Sequence, residues 1–81
     1  MDPTQKLKDA FSQALGLDGG TAYESLAYGS TQGWDSVAHM GLVAEIENTF
    51  DIMLATDDVI DLSSFPQAKQ ILGKYGIQFQ S

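Results

Sequence analysis

The sequence predicts an all-α protein, a bundle of four helices with a long first connection and a short third helix. Apolar residues recur at helical spacing in three separate stretches, each opened by a capping residue, and no alternating run is long enough to argue for a sheet. Size agrees: 81 residues make one domain, expected to span 1–81, around one small core.

DPTQKLKDAFSQALG, from Asp2, reads as the first helix. Asp2 can cap it, Pro3 suits a first turn where its missing N–H costs nothing, and Gln5 stands at the capping-box position. Leu7, Ala10, Phe11, Ala14 and Leu15 fall on one face, and Gly16 can end the helix. From Leu17 to about Trp34 periodicity is lost and Gly19-Gly20, Gly29 and Gly33 punctuate the chain. A connection that long in a small domain is more often functional or locally ordered than slack, with Leu17, Leu26 and Tyr23 or Tyr28 as its expected anchors.

SVAHMGLVAEIENTF returns to helical spacing, with His39, Leu42, Val43, Ile46 and Phe50 on a core-facing stripe. Val37, Met40 and Ala44 form a second apolar stripe on the side of Ser36, which is either extra core or a docking face. ATDDVIDL reads as the short third helix, with Thr56 as its cap and Asp57 and Asp58 in an acidic first turn. In the fourth, Ser64 and Gln67 make a capping box, Ala68, Ile71, Leu72 and Tyr75 repeat the apolar stripe, and Gly76 closes it.

Composition narrows the function. Eleven acidic residues against four Lys and no Arg give a net charge of −7, which disfavours nucleic acid and anionic membrane and favours basic partners. The 43% hydrophobic and 10% aromatic content is that of a compact fold. No Cys is present, which excludes disulfides and thiolate metal sites and leaves a cytoplasmic location as the simplest reading. The amino end lacks the apolar run of a signal peptide, and no stretch approaches the about 18 apolar residues of a membrane span.

Chemistry concentrates in GWDSVAHM, residues 33–40. Ser36 can cap a helix, act as a nucleophile beside His39, or offer a hydroxyl for attachment. A catalytic triad of Asp35, Ser36 and His39 also needs an oxyanion hole and a concave substrate site, for which 81 residues leave little wall. His39, on the core-facing stripe, reads as an edge histidine that can pair with Asp35 four residues away. Attachment has a physical basis too: a Ser in a helix's first turn stands beside backbone N–H groups and the positive end of the helix dipole, where a phosphate ester is well placed. If Asp35 takes the cap, Ser36 is free for that use.

Asp35-Ser36-Val37 resembles the Asp-Ser-Leu attachment motif of acyl carrier proteins, and the likeness extends through the capped first helix, the long loop, GWDSVAHMGLVAEIENTFDI, the short acidic third helix and SSFPQAKQIL. The resemblance implies a four-helix bundle of acyl carrier type, a carrier and not an enzyme, with no catalytic or metal-binding residue of its own. It implies that Ser36 bears a covalent 4'-phosphopantetheine arm, placed there from coenzyme A by a phosphopantetheinyl transferase and carrying acyl groups as thioesters. Asp35, Val37, Met40, Ala44 and Glu47 would then meet acyl-loading, condensing or acyltransferase enzymes with basic docking surfaces. The expected protein is a cytoplasmic monomer serving fatty-acid, polyketide or related specialised biosynthesis. The alternatives are an aminoacyl or peptidyl carrier of a non-ribosomal pathway and an unmodified helical interaction module. Val37 stands where that family has Leu, Gly41 stands where its fatty-acid members tend to be acidic, and Gly33-Trp34 is closer to carriers of specialised pathways.

Overall fold

The computed structural model describes residues 2–17, 22–31 and 33–79; the Gly19-Gly20 pair and the two ends of the expected domain lie outside them. Four α-helices are present among the described residues: α1 (Pro3–Leu15), α2 (Ser36–Phe50), α3 (Thr56–Asp61) and α4 (Phe65–Gly73). Their only extended pairing is an isolated antiparallel bridge between Ala27 and Ser64.

The capping chemistry is largely as expected. Asp2 accepts from the Thr4 N–H, and Gly16 closes α1 in the left-handed conformation at φ 67°. Ser64 accepts from the Gln67 N–H at the start of α4. Three details differ. Gln5 donates to Asp9 instead of reaching back to complete a capping box. Thr56 is the first helical residue of α3, and the cap position falls to Ala55, whose side chain has nothing to accept with. α4 ends at Gly73, so Tyr75 lies in the following turn, where its hydroxyl accepts from the Ala55 N–H and ties this turn to the start of α3.

The core draws on every part of the chain. Leu7 and Phe11 of α1 meet Leu42 and Ile46 of α2 and Phe65, Ile71 and Leu72 of α4, while Leu54 and Leu62 flank α3. Phe11 sits at the aromatic centre, edge-on to Trp34 at 5.6 Å and to Phe65 at 5.1 Å. Among its described residues the long connection carries local structure, with a 3₁₀ turn at Tyr23–Ser25 and Leu26 buried. Its strongest anchor, Trp34, is only 2% exposed, yet it has no periodic neighbours to announce it. Of the two tyrosines expected as alternative anchors, Tyr23 packs against the core, while Tyr28 stays 45% exposed and its backbone N–H donates to the Ser63 carbonyl at 2.8 Å. The connection thus lies along the α3–α4 junction and delivers Gly33-Trp34 to the start of α2.

Candidate functional site

The site is built on the first turn of α2. Asp35 has extended backbone and accepts from the Ala38 N–H at 2.9 Å, so it is the cap. Ser36 follows as the first helical residue and is exposed. The division of labour has a simple cause: a carboxylate one residue before the helix reaches the N–H three residues on, which satisfies an orphan donor and complements the helix dipole. The hydroxyl of Ser36 is not needed for that bond.

His39 is held on both sides. The Trp34 indole N–H donates to Nδ1 at 3.1 Å, and Nε2 lies 2.8 Å from the Val59 carbonyl of α3. An indole nitrogen only donates and a carbonyl only accepts, so Nδ1 is the accepting nitrogen of the ring and Nε2 the donating one. The expected pairing with Asp35 is not what this histidine does. Trp34 and Val59 occupy both nitrogens, and neither is left to take a proton from Ser36. The Asp35 carboxylate is committed to the cap. Of the three residues a triad would use, Asp35 and His39 are therefore each bonded elsewhere and not to one another.

No protein-family model, curated protein or solved structure matches the chain.

The second apolar stripe of α2 faces outward. Val37 is 79% exposed and Met40 60%, and Ala44 is exposed as well, so these residues are not extra core among the described residues. Glu47 departs from them: half-buried, it accepts from the Leu54 N–H at 2.9 Å and fixes the turn beyond the helix. Asp51 closes α2 in the left-handed conformation at φ 55°. Met53 and Ile60 add exposed apolar side chains on the α2–α3 turn and on α3.

Charge is unevenly distributed. The segment from Asp35 to Asp61 carries seven of the eleven carboxylates and none of the four lysines. Asp35, Asp51, Asp57 and Asp61 are exposed, whereas Asp58 is buried and takes hydrogen bonds from Lys74 and from the Tyr75 hydroxyl, the latter at 2.6 Å. The Lys74 ammonium, then the Tyr75 hydroxyl, hold the Asp58 carboxyl below the usual carboxylate range against the opposing effect of burial. Reciprocally, hydrogen bonding to Asp58 raises Lys74 and Tyr75 above their ordinary values.

Two hollows adjoin this region. A groove of about 480 Å³ begins at Asp35 and Ser36 and is bounded by Tyr28, Gly29, Thr31, Gly33 and Trp34. A more enclosed hollow of about 260 Å³ lies between the connection, α2 and α3, lined by Tyr28, His39, Val59, Ile60, Leu62 and Ser63. Tyr28 borders both. Among the described residues no group of three or more His, Asp or Glu is disposed to hold a metal ion, and no helix is long and apolar enough to cross a membrane.

An exposed hydroxyl without a local base is a poor nucleophile on its own account. It can still accept a group from a separate catalyst that supplies the base. Sequence reasoning reached Asp35 and Ser36 and grouped Val37, Met40 and Ala44 on one stripe, leaving open whether it is core or surface. It missed the packing of Trp34 and Tyr28 against His39, contacts that no helical spacing encodes.

Proposed function

We propose that this chain is a carrier of acyl groups, modified on Ser36 and presented to separate enzymes. The observation that carries the reading is the pairing of an exposed Ser36 with a capping Asp35 at the mouth of a groove. A 4'-phosphopantetheine arm fits these residues: its phosphate ester would sit at the opening turn of a 15-residue helix, and the groove gives its chain room beside the protein. In the attachment step the Ser36 oxygen forms a bond to the pantetheine-bearing phosphorus of coenzyme A. The pyrophosphate bond breaks, adenosine 3',5'-bisphosphate departs, and the serine proton passes to the base of the transferase. When bound, the arm supplies a terminal thiol for thioesters, which this Cys-free chain lacks.

The rest of the chain's work is presentation. Val37, Met40 and Ala44 offer an apolar face beside Ser36, and the carboxylates of residues 35–61 surround it with negative charge suited to basic partners. Complementary charge raises association rate more than residence time, as a carrier that visits several enzymes requires. Glu47 serves by holding the Leu54 turn, so its part in docking is to shape the end of that face. His39, with both nitrogens engaged, contributes rigidity and not proton transfer, in keeping with a protein that is not itself an enzyme.

Incubation with coenzyme A, Mg²⁺ and a broad-specificity phosphopantetheinyl transferase tests the reading. The intact mass gains one arm and Ser36→Ala gains none. An unchanged wild-type mass would instead favour the interaction-module reading, in which the exposed Val37 and Met40 bind a partner unaided.

A further inference from the structure

The groove beside Ser36 and the hollow beside His39 differ in character, and Tyr28 is the wall they share. The Tyr28 ring stands edge-on to Trp34 at 6.1 Å and to His39 at 5.3 Å, and both of those rings are fixed, one by burial and the other by hydrogen bonds at both nitrogens. Backbone bonding of Tyr28 to Ser63 fixes the wall from the other side. On the Ser36 side the lining mixes polar and apolar surface. Thr31 accepts from the Ala27 N–H at 2.9 Å, which leaves the hydrogen of its hydroxyl to donate outward. Gly29 and Gly33 hold φ values of 83° and 89°, where a side chain is strained, so the backbone that borders the groove stays low.

We infer that this groove, and not the hollow against α3, is the resting site of an amide-containing tether on Ser36, with Tyr28 as the partition between them. The inference rests on the carrier reading above. Continuity selects the occupant, because the groove includes Ser36 itself while the second hollow does not. Chemistry agrees: a chain of amides and methyl groups needs donors together with apolar contact, which Thr31 and Tyr28 supply.

The test uses the full chain in its arm-bearing form, with attachment first verified by intact mass. Nuclear Overhauser contacts are then measured between the geminal methyls of the arm and the protein. Contacts to the Tyr28 ring and to Thr31 are expected, together with amide shifts at Gly29 and Thr31 relative to the unmodified protein. Tyr28→Leu, taken at unchanged helical circular dichroism and with the arm verified by mass, should also weaken the methyl contacts to Thr31, and undiminished Thr31 contacts would remove Tyr28 from the site. Contacts confined to Val59, Ile60 or Leu62, or no contacts beyond residues adjoining Ser36, would overturn the inference and leave the carrier reading standing. Failure of the mass to change would remove both.

Discussion

Trp34 and His39 form a stacked pair, their rings inclined by 20° and joined by a 3.1 Å hydrogen bond from the indole N–H to Nδ1. The pair couples the end of the long connection to α2, and the second nitrogen of His39 extends the coupling to Val59 of α3. The connection, α2 and α3 are thus held together by one imidazole.

Replacing that imidazole with an apolar ring therefore costs more than its own contacts. In His39→Phe the buried Trp34 N–H and the Val59 carbonyl both lose their partners, and each unsatisfied group carries a penalty of about 1–3 kcal/mol. Urea denaturation followed by the fluorescence of Trp34, the single tryptophan, should show a loss of about 2–4 kcal/mol. No measurable loss would mean that the bridge is not maintained in solution.

The cap assignment separates two neighbouring residues. Asp35→Ala removes the bond to the Ala38 N–H and should destabilise the protein by about 1 kcal/mol. Ser36→Ala removes an exposed hydroxyl outside the cap and should stay within about 0.5 kcal/mol of the parent. The reverse order in a denaturation series would show that Ser36 is the cap.

Core truncation at Phe11 should be severe. The ring is fully buried and edge-on to both Trp34 and Phe65. Phe11→Ala should cost about 3–5 kcal/mol, a large share of what an 81-residue domain has. Calorimetry should find the variant largely unfolded near body temperature.

The Asp58 cluster sets a pH window. The Asp58 carboxyl is held below its ordinary value, chiefly by Lys74, so its contribution is present above the unfolded carboxylate value and is lost as pH falls through the lower folded one. Lys74 and Tyr75 are raised, so theirs is complete below the ordinary values and is lost as pH climbs through the higher folded ones. The stability difference between the parent and Asp58→Asn should be greatest between the two limits and shrink at either extreme. A constant difference across a pH series of urea midpoints would contradict the assignment.

The exposed stripe makes a kinetic prediction. Met40→Lys changes a 60% exposed residue and should leave stability within about 0.5 kcal/mol. It should slow modification of Ser36 by a basic-faced transferase, and added salt should slow the parent as well, through screening of the carboxylates of residues 35–61. Equal rates for parent and variant would remove this stripe from the docking face.

Much of this was legible in the sequence, for identifiable reasons. The apolar spacing of Leu7, Ala10 and Phe11, the Asp2 and Ser64 caps and the Gly16 terminator act within one or two turns, so local spacing suffices to find them. The start of α2 at Ser36 follows from the same rule, which also groups Val37 and Met40 on one stripe without deciding whether that stripe faces the core or the solvent. What could not be read depends on contacts distant in sequence. Val59 meets His39 across 20 positions, and Tyr75 reaches Asp58 across 17, a bond formed only because α4 stops short and the turn swings the phenol toward α3. Trp34 sits in a stretch with no period, and its burial is set by Phe11 and His39 together.

Localising the modification on the chain tests the central claim most directly. After exposure to coenzyme A and a transferase, fragmentation of the peptide that contains residues 33–40 should place a single phosphodiester-linked arm on Ser36, with every other serine unmodified. An arm mapped to another residue, or a peptide that remains unmodified in a protein shown to be folded, would contradict it.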